Sequence, residues 1–326
     1  MNGHPVAGHG QIAQPNAPIA LFCFNRPQHL ARTLESLMAC PEFAASPLFV
    51  YADGPRNDSD VALVEAVRGV LARLLPPSAT VIARPANLGL AANIIDGVTA
   101  LCQSHGRVIV LEDDLSLDPR FLRFMNDALE RYETAPHVYQ VAGYMFDVPA
   151  LQGRHEAVVL PWGTSWGWAT WQRAWDRFDP LATGWESLAA DAAMRRRFNL
   201  DGAYDYASML ENQMLGRRHS WAIRWYWTMF KASALAVFPP FTLVDNTGFD
   251  GTGTHGRGWL RSFGRPRATP TQASTGSIAL PETAVVDGHV RAAVRDALWR
   301  RNGGWVGHAI DRARRAFGPS KPVARP

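Results

Sequence analysis

Cysteine is scarce in this chain. Cys23, Cys40 and Cys102 are three of 326 residues, too few and too widely spaced for a disulfide framework or a zinc site, so a reducing, cytoplasmic setting is the default. Long apolar runs are lacking too. The stretch from Ala232 to Val244 is broken by Pro239 and Pro240 and falls short of the roughly 20 residues a membrane-spanning helix needs. Residues 1–17, rich in Gly, Pro, Asn and Gln, have no apolar centre of the signal-peptide kind and read as a flexible lead-in. A broad excess of one charge is missing as well. The formal charge is only +4 despite a pI near 9.2, and the basic surplus gathers at the C-terminus, which argues against general nucleic-acid binding.

What is present is an ordinary globular composition, 47% hydrophobic and 19% charged. From Ile19 short apolar runs alternate with helical patterns, which predicts strands over Ile19–Phe24, Leu48–Tyr51, Thr80–Ala83, Val108–Leu111 and Val138–Ala142. Helices are expected between them near Gln28–Met38, Ser59–Leu74, Leu90–Gln103 and Pro119–Tyr132. This is the reading of an α/β, doubly wound, mostly parallel sheet over residues 18–150. Beyond it the composition turns to Trp and Arg: six of the twelve tryptophans lie between Trp162 and Trp185. Residues 151–261 are read as a second half with a closing loop. Within it a helical segment is expected near Ala189–Arg218, then a Trp-rich strand or helix. A Pro/Ser/Thr linker over 262–283 and a basic tail over 284–326 follow.

Ligands of open α/β sheets bind beyond the carboxyl ends of the strands. The groups standing there are Asn25-Arg26-Pro27, Asp53-Gly54-Pro55, Arg84-Pro85-Ala86-Asn87 and Glu112-Asp113-Asp114. Each alone reads equally as a turn; together along one sheet edge they suit a nucleotide and a metal. The last is the sharpest, because Val-Ile-Val-Leu runs straight into three carboxylates. Alternation puts Glu112 and Asp114 on one side and Asp113 on the other. Like charges gathered at a buried strand end are costly unless a cation neutralises them, and oxygen ligands suit Mg²⁺ or Mn²⁺. Asp118, followed by Pro119, is read instead as the cap of the next helix.

These residues resemble the GT-A glycosyltransferases, a Rossmann-like family. The strand ending in Leu-Glu-Asp-Asp-Leu is similar to the family's DXD metal motif in the Glu-Asp-Asp form of N-acetylglucosaminyltransferase I and its bacterial family 2-like relatives. Further matches are Phe-Asn-Arg-Pro at 24–27, Ala-Asp-Gly at 52–54, Asn-Leu-Gly-Leu at 87–90 and Ser-Trp-Gly-Trp-Ala-Thr-Trp at 165–171. Asn-Thr-Gly-Phe-Asp-Gly-Thr-Gly-Thr-His at 246–255 resembles the late donor-side loop. The resemblance implies that Arg26 and Asp53 line a nucleotide-sugar pocket, with Asp53 accepting a hydrogen bond from the base; Asn25, Arg84 and Asn87, at the same strand ends, are read as nucleotide-sugar contacts beside them. It implies that Asp114 binds the metal while Glu112 and Asp113 contact sugar or ribose. The pattern departs at the general base, where an Asp follows a Trp: here Ala222 follows Trp221.

An inverting reaction needs a base in the acceptor half, and the candidates are Glu211, preferred, and Asp205, with His219 behind them; Glu211 also reads as a solvated helical acid. Trp168, Trp171 and Trp175 fall at i, i+3 and i+7 and are expected to pack one face of a helix into the core, leaving Trp166 and Trp162 as acceptor contacts. Gly251 to Gly256 matches a dinucleotide fingerprint but lacks its strand and helix, so a nicotinamide site is rejected and a closing loop preferred. His255 there is a candidate metal or phosphate contact. The tail carries Arg291, Arg295, Arg300, Arg301, Arg312, Arg314 and Arg315 among apolar residues. It fits either peripheral contact with anionic lipid on the inner face of the cytoplasmic membrane or packing against the domain.

The resulting expectation is a metal-dependent transferase, moving a hexosyl or N-acetylhexosaminyl group from a nucleotide donor, UDP-linked by preference, to a glycan or lipid-linked acceptor in surface polysaccharide synthesis. A sugar-phosphate nucleotidyltransferase and a non-catalytic carbohydrate-binding protein are the rivals.

Overall fold

The computed structural model describes residues 15–248 and 276–302. His255, Arg312, Arg314 and Arg315, most of the expected closing loop and nearly all of the lead-in lie outside them, as does the greater part of the linker.

The apolar runs form the strands expected of them: β1 (Ile19–Cys23), β2 (Leu48–Ala52), β3 (Thr80–Ala83), β4 (Arg107–Glu112) and, after a short β5 (Leu115–Leu117), β6 (Val138–Ala142). The helices between them are α1 (Pro27–Met38), α2 (Asp58–Leu74), α3 (Leu90–His105) and α4 (Phe121–Arg131). Pro27 opens α1, where its missing N–H is harmless. Asn57 caps α2 by accepting from the Ser59 N–H at 3.0 Å. β1 lies between β2 and β4, parallel to both, with Ile19 opposite Leu48 and Ile109. Its five residues are buried on both faces, as a central parallel strand requires. Gly97 lets α3 approach this sheet: a Cβ there would stand 2.8 Å from the rings of Phe22 and Tyr51.

The second half continues the same sheet. It supplies β7 (Val158–Leu160), β8 (Trp168–Trp171), the helices α5 (Gln172–Trp175), α6 (Ser187–Ala190), α7 (Ala192–Phe198), α8 (Tyr206–Met214) and α9 (Trp221–Lys231), then β9 (Leu235–Phe238), β10 (Val244–Asn246) and α10 (Gly288–Arg301). The strand order is β3-β2-β1-β4-β8-β6-β9-β7. β8 runs antiparallel between β4 and β6, and β7 is the other reversed strand. The mixed α/β, mostly parallel architecture is therefore as expected, with one sheet spanning both sides of residue 150. β10 pairs with β5 in a separate two-stranded ribbon.

Three expectations need correction. Trp168 and Trp171 lie in a strand, not on a helical face. They are core residues, 1% and 2% exposed, but on opposite sides of β8: Trp171 Nε1 donates to Leu129 O at 3.0 Å, while Trp168 stacks on Trp221 at 5.0 Å. The segment 189–218 is not one helix, because left-handed backbone at Leu200 and Asp201 breaks it between α7 and α8. Pro119 is not the first residue of α4, which begins at Phe121 with Arg120 at its N-cap; the Asp118 carboxylate accepts from the Arg120 N–H at 3.0 Å in the turn leading into the helix.

The described part of the tail packs on the domain. Val290, Val294 and Leu298 of α10 are 7%, 0% and 2% exposed, and Arg291 pairs with Asp201 at 3.0 Å. No helix among the described residues is long and apolar enough to cross a membrane.

Candidate active site

β4 carries its acids into the crevice because Val108 to Leu111 are fully buried between β1 and β8, which leaves the strand end as the first place where polar groups can emerge. Glu112, the last residue of β4, and Asp114, in the turn that follows it, both line a cavity at this end of the sheet, while Asp113 between them does not. Asp113 Oδ2 accepts from the Phe24 N–H at 3.2 Å, and its other oxygen pairs with Arg26. Arg26 also donates to Asp114 Oδ2 at 3.0 Å. One guanidinium from the end of β1 thus bridges two acids from the end of β4. Burial alone would lower Arg26, but the charges of Asp113 and Asp114 outweigh that and hold it firmly protonated. Burial, with the neighbouring Asp114 charge, pushes Glu112 well above the carboxylate range; burial also raises Asp113, and Arg26 opposes the rise.

The β5–β10 ribbon brings the late segment to the same place. Thr247 donates to Asp114 O through both its N–H at 2.8 Å and its hydroxyl at 3.0 Å, and Asn246 and Gly248 line the cavity. A Cβ at Gly248 would run into Asp114 Oδ2, so the backbone closes tightly on the acid.

The opposite wall is aromatic, formed by Tyr144 and Phe146 after β6, Trp166 before β8, Tyr204 and Tyr206 beside α8, and Trp221, Trp225 and Tyr226 of α9. Arg218 and His219 stand at its edge, just ahead of Ser220, whose hydroxyl caps α9. Gln140 lies beneath, fully buried. It donates to Thr164 O and accepts from Trp225 Nε1 at 2.9 Å, tying the loop before β8 to α9.

The cavity does not gather all the expected residues. Trp166 lines it, but Trp162, 1% exposed, does not. Asp205 caps α8, its carboxylate accepting from Ser208 N and Asn199 Nδ2, and Glu211 lies two turns along that helix without lining the cavity. Asn25 donates to Asp60 at 3.1 Å, and Arg84 pairs with Asp96 on α3. Asn87 and Asp53 bond to each other at 2.9 Å. Residues not foreseen are Tyr144, Tyr206 and Gln140. Gln140 had a readable signal, a polar residue in the buried run Val-Tyr-Gln-Val-Ala; the tyrosines had none.

The acids fit a divalent cation in one respect and not in another. Asp114 Oδ1 is buried with no hydrogen-bond partner among the described residues, an arrangement that a cation would satisfy. Those residues contain no cluster of three or more His, Cys, Asp or Glu suited to a metal. Mg²⁺-type sites built from one or two carboxylates plus substrate phosphates do not require one.

A mostly parallel sheet with acids at the end of β4 and an aromatic wall in the same cavity is an α/β architecture of the GT-A kind. The glycosyl transferase family 2 model matches residues 19–194, more than half of the chain. The chain belongs to that family and is a glycosyltransferase. Among solved structures, the mannosyltransferase PcManGT from Pyrobaculum calidifontis, in complex with GDP-Man and Mn²⁺, is similar over 67% of this chain and 69% of its own, at 11% identity and a TM-score of 0.35. Glucosyl-3-phosphoglycerate synthase from Mycobacterium tuberculosis, in complex with Mn²⁺, UDP and glucosyl-3-phosphoglycerate, is similar over 50% and 58%, at 12% identity and a TM-score of 0.31. At those values neither bears on this chain's substrates. No curated protein sequence matches it.

Proposed function

We propose that this glycosyltransferase uses a nucleoside-diphosphate sugar, UDP-linked by preference, and a divalent metal. It passes a hexosyl or N-acetylhexosaminyl group, with inversion, to a hydroxyl of a glycan or lipid-linked acceptor in surface polysaccharide synthesis. The observation that carries this reading is Asp114: an acid with one buried oxygen that has no hydrogen-bond partner among the described residues, lining the cavity with Glu112.

In this reading Asp114, with His255 from the late loop, holds Mn²⁺ or Mg²⁺. When bound, the cation neutralises the departing diphosphate as a Lewis acid. Arg26 keeps the acids oriented, and Asn25, Asp53, Arg84 and Asn87 build the nucleotide side. Glu112 faces the sugar, while Asp113, turned from the cavity, acts by holding Arg26. Trp166 offers its face to the acceptor ring. His219 takes the place first given to Glu211 and Asp205 as general base, because it lines the cavity and they do not. The acceptor oxygen attacks the anomeric carbon as the bond to the diphosphate breaks, and its proton passes to His219. We place the enzyme in the cytoplasm, with membrane contact confined to residues beyond α10.

The test is a panel of nucleotide sugars assayed for Mn²⁺-dependent hydrolysis. Asp114→Ala is expected to lower the activity by about 100-fold or more while circular dichroism shows an intact fold. Undiminished activity in that variant would refute the metal assignment.

A further inference from the structure

The second half holds another cavity, which shares only Tyr226 with the one that contains Glu112 and Asp114. Its volume is about 510 Å³, against about 200 Å³ for the first, and is of the size that small-molecule sites have. Trp162, expected from the sequence to meet the acceptor, lines this cavity instead.

The charge here is of one sign. Arg197 from α7, Lys231 at the end of α9 and Arg291 from α10 line the cavity, and among the described residues no acid does. Arg291 pairs with Asp201, which lies outside the lining, and Lys231 donates to Thr183 O at 3.0 Å. The Arg197 side chain has no partner among the described residues. Cations gathered from three helices repel one another unless anions neutralise them, and Asp201 answers only one of the three. Trp162 adds an unused donor: its ring is 1% exposed, and its Nε1 is buried with no hydrogen-bond partner among the described residues, a deficit that an oxygen of a ligand would make good.

The backbone around the cavity is strained. Leu200 and Ser233 line it with φ of +51° and +50°. Asp201, at φ +58°, holds Arg291, and Ala182, at φ +46°, precedes the Thr183 that receives Lys231. These four are the non-glycine residues of positive φ among the described residues, and each lines the cavity or adjoins a contact to one of its cations. Left-handed backbone at such residues is costly and gathers where side chains are held for a ligand.

We propose that this cavity binds an anionic saccharide, a sugar carrying a phosphate or carboxylate group. Arg197, Lys231 and Arg291 meet the oxyanion, and the half-buried Phe230 covers the apolar part of the sugar. The cations select the charge; the volume and the aromatic lining select a sugar over a bare ion. None of these residues belongs to the donor or metal side, so occupancy requires neither Mn²⁺ nor nucleotide.

The test is titration calorimetry of glucose 6-phosphate, glucuronate, glucose and inorganic phosphate, without Mn²⁺ or nucleotide, on wild type, Arg197→Glu and Lys231→Ala. The indole N–H of Trp162, assigned with Trp162→Phe, is followed in ¹H–¹⁵N spectra to locate the ligand. At least one anionic sugar is expected to bind wild type, about tenfold or more tighter than glucose or inorganic phosphate, and to shift the Trp162 resonance. Arg197→Glu is expected to weaken that binding about tenfold or more while Mn²⁺-dependent nucleotide-sugar hydrolysis and the melting temperature stay near wild type. Arg197 is exposed, and Lys231→Ala decides the matter if Arg197→Glu does not fold. Four results each overturn the proposal: no binding of either anionic sugar, equal binding of glucose or inorganic phosphate, undiminished affinity in the variants, or a shift at Trp166 with none at Trp162.

Discussion

Asp60 shows how far a single residue of this site can be read. Arg56 meets its carboxylate with a forked pair at 2.7 and 2.9 Å, and Asn25 adds a third bond at 3.1 Å. The bonds to Arg56, above all, hold Asp60 down to about 2. A depressed carboxylate contributes stability above its unfolded value of about 3.9 and loses it as pH falls through the folded one. Asp60→Asn is therefore expected to melt below wild type at neutral pH, with the gap closing as pH is lowered through about 2; a gap independent of pH would contradict the linkage. None of this was visible in the sequence, which does not show that Asn25 reaches Asp60 and so ties the end of β1 to α2. The acids fared better. The reading of the run as a strand grouped Glu112 with Asp114 and set Asp113 aside, and the cavity has that grouping, although β4 ends at Glu112 and the turn after it sets the other two. Arg26 was placed at the right edge, but its bridge to Asp113 and Asp114 depends on β1 lying beside β4, which no local pattern reveals.

At the scale of elements, α10 is the clearest case. Its spacing allowed either a lipid-facing stripe or a packed one, and an amphipathic pattern is the same whichever apolar surface covers it. The structure buries Val290, Val294 and Leu298 against the domain. Leu298→Ala is accordingly expected to cost about 2–5 kcal/mol in urea denaturation, a loss that a membrane-resting helix in water would not show. The β8 error has a similar origin. Trp168 and Trp171 are spaced for a helix, but a four-residue strand inside the sheet is buried on both faces and has no alternation to display. Of the helix expected to carry all three tryptophans only α5, four residues long and ending at Trp175, is formed.

The whole molecule is held by one eight-stranded sheet. β8, from the second half, sits between β4 and β6 of the first, so the portion before residue 150 has an incomplete core without it. Residues 18–150 expressed alone are expected to be unfolded or aggregated, with an open edge at β4. The intact protein is expected to unfold in a single calorimetric transition. A soluble, cooperatively melting fragment would show that the halves are independent. The same interleaving explains why the cavity is shared: acids from the first half face aromatic side chains from the second.

Local pattern by itself determined the first five principal strands, the helices between them, and the acids at the end of β4, because periodicity and the meeting of an apolar run with charge are properties of neighbouring residues. Tertiary structure alone decided which polar groups look into the cavity and which serve the scaffold. Asp53, Asp205 and Asn25 are chemically suited to a ligand, but only the folded arrangement shows the partners each has within the protein, Leu88 for Asp53, Asn199 for Asp205 and Asp60 for Asn25.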